Sequence, residues 1–232
     1  MGLPDLTPLE WEALRLSLWV SGWAVAGSLP IGIMVAWILA RHRFPGKSLL
    51  DGLVHLPLVL PPVVTGYLLL VLLGRRGVVG KVLHDLFGIT LAFTWKGAAV
   101  ASAVMAFPLL VRAVRMSIEA IDQGLENAAR TLGAGPRYVF FTITLPLMVP
   151  GIISGTIMAF ARSLGEFGAT ITFVSNIQGE TRTLPLALYT LTQVPGGETG
   201  AMRLCVIAVL LAIVTMIVSE WMSNRFSAYM RG

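Results

Sequence analysis

The stretch Ile118–Pro146 reads IEAIDQGLENAARTLGAGPRYVFFTITLP and separates two long apolar segments of the chain. In its first half, apolar residues recur at helical spacing, which predicts an amphipathic helix. The polar face of this helix carries Glu119, Asp122, Glu126 and Arg130. Gly133-Ala134-Gly135 then favours a helix end, and Pro136 suits the first position of a new helix. The pattern therefore predicts two short helices joined by a bend.

The second of these short helices carries aromatic residues close to a membrane surface. They are Tyr138, Phe140 and Phe141. Such side chains anchor among lipid headgroups, or they fill a groove on a partner protein, where aromatic residues contribute much of the binding energy. Composition alone leaves both alternatives open.

The chain as a whole is too apolar to form a soluble globule. Of its 232 residues, 56% are hydrophobic and only 12% are charged, and the mean hydropathy is +0.80. About 20 apolar residues in a helix cross the hydrocarbon core of a bilayer. Five such segments are predicted, the third extended by its flanks: Leu16–Ala40, Leu49–Gly74, Ala98–Val111, Leu145–Ala161 and Leu204–Ser219. We expect an all-α integral membrane protein in which residues 1–232 form a single transmembrane domain.

Lys and Arg next to these segments predict the orientation, because loops on the cytoplasmic side carry an excess of both. A five-span threading puts nine of them on one side: Arg41, Arg43, Lys47, Arg112, Arg115, Arg130, Arg137, Arg225 and Arg231. Four fall on the other side: Arg75, Arg76, Lys81 and Lys96. The N-terminus is therefore expected outside and the C-terminus in the cytoplasm. The four outer cations either attract an anion or anchor the span ends among headgroups.

The chain carries no recognisable catalytic or nucleotide-binding motif. Gly46-Lys47-Ser48 resembles the end of a phosphate-binding loop, but Arg41 occupies the position where the first glycine is required. The three histidines lack metal-ligand spacing. We therefore expect a protein that is not an enzyme and that itself binds no metal or cofactor.

Polar residues that could line a pathway concentrate between Arg162 and Asn176. The candidates are Arg162, Ser163, Glu166, Thr170 and Thr172. Arg162 and Glu166 are four residues apart, so they are expected to form an ion pair that neutralises both charges. Gly165 and Gly168 would permit a broken helix or a close backbone approach.

Three prolines interrupt the second apolar segment, at positions 57, 61 and 62. Each one leaves a carbonyl group without its usual helical donor. Either a kink or a flexible gate would result, and the sequence does not choose between them.

The spacing of Asn127-Ala128-Ala129, Gly133 and Ile143-Thr144-Leu145-Pro146 resembles the EAA loop of ABC importer permeases. The resemblance implies that residues 117–146 form a cytoplasmic loop that docks on a separate ATPase. The implied coupling residues are Glu126, Asn127, Ala128, Ala129, Arg130, Gly133, Tyr138 and Pro146. Asn127 stands where that family usually has Glu, so a charged contact would have to come from a neighbouring residue or be replaced by an amide hydrogen bond.

Further stretches are similar to molybdate ABC transporter permeases, and the glycine-rich one is also similar to sulfate and thiosulfate permeases. They are HLPLVLPP at 55–62, GRRG at 74–77, FARSLGEFGA at 160–169 and PGGE at 195–198. The resemblance implies a type I ABC importer permease fold in a bacterial inner membrane.

The implied function is import of molybdate or tungstate by alternating access. The implied partners are a second copy of the chain, two ATPase subunits that bind ATP and Mg²⁺, and an extracytoplasmic binding protein that delivers the oxyanion. No nucleic-acid partner is expected. The alternatives are a sulfate or thiosulfate permease and a self-sufficient secondary anion transporter.

Overall fold

The computed structural model describes the backbone of residues 6–229 and their side chains except at 223, 224 and 226–229. Within this range every regular element is helical, which confirms the all-α prediction. The elements are α1 Pro8–Arg41, α2 Lys47–Val59, α3 Pro62–Leu73, α4 Val78–Phe87, α5 Trp95–Glu119, α6 Gln123–Thr131, α7 Pro136–Val139, a π-helical turn Phe140–Thr144, α8 Leu145–Leu164, α9 Gly168–Val174, α10 Leu184–Thr192 and α11 Glu198–Tyr229. Arg231, which entered the charge count, lies outside the described residues.

The described chain contains four helices that are long and apolar enough to cross a membrane. They are Pro8–Arg41, Trp95–Glu119, Pro136–Leu164 and Glu198–Met222. The second of these extends the short predicted segment Ala98–Val111 at both ends, as expected. The bent pair α2 and α3 makes a fifth crossing if it counts as one span.

The second apolar segment, predicted as one span, consists of two helices at 116° to each other. The break falls at Leu60 and Pro61, whose backbones are extended, with ψ of 143° and 134°. Each of these residues precedes a proline, and the ring of a following proline disfavours the helical conformation. Pro57, in contrast, lies inside α2. Two consecutive prolines therefore break the segment where a single one does not.

Beyond this break, α3 packs closely against α9. A Cβ atom on Gly66 would lie 2.5 Å from the carbonyl oxygen of Ala169, and one on Gly168 would lie 2.7 Å from Cβ of Pro62. Small residues at these contacts let the two backbones approach. The close packing places α9 beside the break.

Helix α5 forms the centre of the bundle and packs against α1, α8 and α9. Its residues Leu110, Val111 and Val114 are fully buried. Glycines on the neighbouring helices face it: Gly32 on α1 lies against Leu110, and Gly155 on α8 lies against Ala113. Contacts between small and large residues thus hold the bundle together where lipid provides little hydrophobic driving force.

Two ion pairs distinguish the ends of the bundle. At one end, α1 and α11 both begin, and Arg203 Nη2 lies 2.8 Å from Glu10 Oε1. At the other end, Arg41 at the end of α1 contacts Glu126 in α6. We call these the Glu10 end and the Glu126 end.

An apolar groove of about 930 Å³ lies between α1, α2 and α5. Apart from Ser28, Lys96 and the indole groups of Trp23 and Trp95, its lining is apolar. None of the polar residues predicted to line a pathway contributes to it, so those residues must be sought elsewhere in the bundle.

Candidate functional site

The segment between α5 and α8 contains the short helix α6, a bend, and the first turns of the long helix Pro136–Leu164. The side chain of Asp122 caps α6 by accepting a hydrogen bond of 2.8 Å from the backbone N–H of Gly124. After α6, Gly133 adopts a left-handed backbone with φ of +90°. Pro136 then begins α7. The bend at Gly133 is present as predicted, but the first helix begins at Gln123 rather than at Ile118, and Pro136 begins the long helix Pro136–Leu164 rather than a separate short one.

The carboxylate of Glu126 points into the protein. Its Oε1 lies 2.7 Å from Arg41 Nη2 and accepts a hydrogen bond of 2.9 Å from the hydroxyl of Thr144. The residue is only 7% exposed. The sequence pattern grouped Glu126 with Glu119, Asp122 and Arg130 on one polar face, but those three are exposed whereas Glu126 turns inward to Arg41, 85 positions earlier in the chain.

Apolar side chains of the segment point away from the bundle instead. The exposed fractions are 51% for Leu125, 88% for Leu132, 65% for Tyr138 and 64% for Phe141. We call these four residues the outer apolar surface. Phe140 faces the other way and packs edge-on against Trp37, with 5.3 Å between ring centroids.

The remaining predicted coupling residues also lie at the Glu126 end. Asn127, Ala128, Arg130, Gly133 and Pro146 are exposed, and Ala129 is half-buried. Of the predicted coupling residues, only Glu126 is buried and inaccessible to a partner. Their role in coupling stays a prediction.

Arg162 and Glu166 form the predicted ion pair, with Nη1 2.7 Å from Oε2. However, they are not on one continuous helix, because α8 ends at Leu164. The other carboxylate oxygen of Glu166 accepts a hydrogen bond of 2.8 Å from the backbone N–H of Ala169. Glu166 therefore caps α9 while it pairs with Arg162, and the broken helix that Gly165 permits is present.

The predicted pathway hydroxyls differ in their partners. Thr172 donates a hydrogen bond of 2.8 Å to the carbonyl of Gly168, and Ser163 donates one of 3.5 Å to the carbonyl of Ser102. The hydroxyl of Thr170 is buried and makes no hydrogen bond within the described part of the chain.

Sequence reasoning missed two residues of these sites. Thr65 on α3 also has a buried hydroxyl without a partner among the described residues, and it precedes the glycine that touches α9. The Thr-Gly pair just after Pro61-Pro62 was the available signal. Arg41, the partner of Glu126, carries no signal in the sequence that links it to the segment after α5.

Comparison with known proteins adds close relatives. The chain is 66% identical over 219 residues to the molybdenum transport system permease protein ModB of Escherichia coli K12. The aligned region covers 94% of this chain and 96% of that protein. It is 58% identical over 217 residues to ModB of Haemophilus influenzae, covering 94% and 95%. The sulfate transport system permease protein CysT of Salmonella typhimurium is 42% identical over 158 residues, covering 68% of this chain and 57% of that protein.

Solved structures share the fold at lower identity. A bacterial ABC transporter involved in the import of the acidic polysaccharide alginate superposes with a TM-score of 0.74 at 19% identity, covering 94% of this chain and 80% of that chain. The predicted type I ABC importer permease fold is thereby confirmed. Residues 28–230 also match the family described as binding-protein-dependent transport system inner membrane component. The chain thus belongs to this family of inner membrane transport components.

Proposed function

We propose that this chain is the membrane-spanning permease subunit of an ATP-driven importer for molybdate, with tungstate as a second substrate. The observation that carries the proposal is the outer apolar surface, presented at one end of a bundle whose relatives include molybdenum transport permeases. Apolar and aromatic side chains exposed beyond the spans need a partner to cover them.

The proposed partner at this surface is a cytoplasmic ATPase that binds ATP and Mg²⁺. Aromatic residues such as Tyr138 and Phe141 contribute strongly when they enter a groove on a partner. This chain has no phosphate-binding loop of its own, so a separate subunit must supply the hydrolysis. Two copies of the permease would present two such surfaces to two ATPases, and two-fold pairs are the commonest assembly.

The proposed pathway runs beside the break between α8 and α9. There, the buried hydroxyls of Thr65 and Thr170 are without partners in the described chain, and both lie on packed helices. Hydroxyl groups can donate to an oxyanion that has lost part of its hydration. We propose that Arg162 and Glu166 hold the geometry of the break, since a carboxylate would repel the substrate directly.

We further propose that the Glu126 end faces the cytoplasm. Trp23 and Arg41 are 18 positions apart along α1, which is about 27 Å of helix, close to the thickness of the hydrocarbon core. Trp residues favour the membrane interface, and Arg residues favour the cytoplasmic side. On α5, Trp95 packs near Trp19 at the opposite side of the core from Arg112 and Arg115.

The N-terminus would then lie outside and the C-terminus in the cytoplasm. The Glu10 end would receive substrate from an extracytoplasmic binding protein. In support, a solved relative in fold, the bacterial alginate ABC transporter, was determined in complex with a periplasmic protein bound to an alginate pentasaccharide.

The test is the ATPase activity of the reconstituted complex with its binding protein. We expect molybdate-loaded binding protein to stimulate hydrolysis and uptake into vesicles, and tungstate to act similarly. Sulfate should stimulate far less.

Equal stimulation by sulfate would favour the sulfate permease that the similarity to CysT suggests as the second candidate. Uptake of molybdate by the purified chain alone, without any ATPase, would contradict the importer proposal altogether.

A further inference from the structure

The carboxylate of Glu126 lies where three segments of the chain meet. It belongs to α6, it accepts from Arg41 at the last residue of α1, and it accepts from Thr144 at the start of α8. Both partners contact the same oxygen, Oε1. One side chain therefore ties the short helix to two of the membrane-spanning helices.

This contact is largely shielded from water. The side chains of Arg41 and Glu126 are 13% and 10% exposed, and Thr144 is 1% exposed. The guanidinium of Arg41 also lies 5.7 Å from the centroid of the Trp37 ring. Separating a shielded ion pair leaves charges without compensation, so α6 cannot leave the bundle without a large cost.

The backbone that follows α6 offers little other restraint. The helix has nine residues, and Gly133 follows it in a left-handed conformation with φ of +90°. An isolated helix this short is marginal in water. Tyr138 and Phe141 lie on the helix that continues into α8, but a force applied to Leu125 on α6 would move only α6 and this connection if α6 were not fixed to the spans.

We infer that Glu126 is a positioning residue that transmits movement from α6 to α1 and α8 through Arg41 and Thr144. The inference rests on the proposed function and deepens it. Glu126 then has no direct contact with the ATPase, and binding to the ATPase is left to the exposed side of the segment, including Asn127. Without the contact of Glu126 with Arg41 and Thr144, the ATPase still binds the permease, but its movement no longer reaches the spans.

The experiment uses the full complex with ATPase and binding protein in vesicles. The variants are Glu126→Arg, Arg41→Glu and the double exchange of both. Three quantities are measured: retention of the ATPase on the permease, hydrolysis stimulated by the loaded binding protein, and molybdate taken up per ATP hydrolysed.

We expect each single variant to retain the ATPase but to lower uptake per ATP by about tenfold, a size within the range of coupling between contacting residues. The double exchange should restore most of this ratio. Thr144→Val should give a smaller loss in the same direction. Glu119→Arg, at an exposed pair on the same end, is the matched control and should leave the ratio unchanged.

Unchanged uptake per ATP in both single variants would overturn the inference. So would loss of ATPase binding in Glu126→Arg that the double exchange does not restore, because Glu126 would then contact the partner. If the reversed variants do not accumulate, Glu126→Gln and Thr144→Val are measured separately. Each should lower uptake per ATP, and unchanged uptake per ATP in both would overturn the inference. Failure of the unaltered chain to bind any ATPase would instead contradict the proposed function.

Discussion

Single carboxylates hold this bundle together at three places. Glu10 pairs with Arg203, Glu126 with Arg41, and Glu166 with Arg162. All three carboxylates are buried. A charge placed among apolar helices is costly unless it is paired, so each pair constrains the segments that supply it. These contacts fix the positions of α11, α6 and α9 relative to the rest of the bundle.

Replacement of Glu166 by Gln should destabilise the protein by about 3 kcal/mol, near the lower end of the range for broken buried ion pairs. The amide can still accept from Ala169, but it leaves the charge of Arg162 without a partner. The side chain of Arg162 is 28% exposed, which limits the loss. The measurement is the free energy of unfolding of the purified chain in mixed detergent micelles.

The matched control for this prediction is Glu119→Gln. Glu119 also pairs with an arginine four residues away, but its side chain is 46% exposed. We expect a change within about 0.5 kcal/mol, as for other exposed pairs. If Glu166→Gln and Glu119→Gln lower the free energy of unfolding equally, the burial of Glu166 does not contribute to stability.

At the scale of elements, prolines and glycines set the breaks between helices, but only some of them do so. Pro61-Pro62 produces a bend of 116° between α2 and α3, whereas Pro30 and Pro108 lie inside α1 and α5. Gly133 ends α6 with a positive φ, and Gly165 lies in the break after α8. The breaks lie at the two places for which a function is proposed, the outer apolar surface and the polar residues beside α9.

Gly133→Val should weaken association with the partner ATPase about fivefold or more. A β-branched residue is strained at φ of +90°, at a cost of about 1–3 kcal/mol, and the bend that orients the outer apolar surface would shift. The control is Gly135→Val. Gly135 has φ of −68° and ψ of 157°, which valine adopts readily, and a Cβ there meets nothing within 4 Å.

The affinity of purified permease for the ATPase measures both variants. If Gly133→Val binds the ATPase as tightly as Gly135→Val does, the bend has no part in docking.

At the scale of the whole molecule, the two long terminal helices run in the same direction. Both α1 and α11 begin at the Glu10 end, where Arg203 contacts Glu10. The described chain therefore starts and finishes at opposite ends of the bundle, as an odd number of crossings requires. With 34 residues, α1 is about 51 Å long. It exceeds the hydrocarbon core and must project beyond the membrane.

The proposed orientation can be tested by labelling single cysteines in intact cells. Cys205 is the only cysteine, so Cys205→Ser provides the background. Gln123→Cys places a thiol at the Glu126 end and Thr192→Cys places one near the Glu10 end, both at exposed positions. A membrane-impermeant maleimide should label the second variant in intact cells and the first only after the membrane is disrupted. The reverse pattern would contradict the orientation.

Much of this architecture could be predicted from local patterns. Runs of apolar residues indicated the crossings, because a helix must be about 20 residues long to span the bilayer. Gly133 and Pro136 indicated the bend, because their backbone preferences are intrinsic to the residue. The spacing of Arg162 and Glu166 predicted their ion pair, although not the helix end between them.

Contacts between distant segments depended on the tertiary structure. Hydrophobic periodicity grouped Glu126 with the other charged residues of its helix, and only the approach of Arg41 and Thr144 turned it inward. Leu125 and Leu132 are therefore exposed, although the hydrophobic periodicity placed both on the apolar face. The amino-acid sequence alone indicated the apolar crossings and the bend at Gly133, since these depend on neighbouring residues. Which side of each helix faces a partner was decided by charges and packing that the fold brings together from far along the chain.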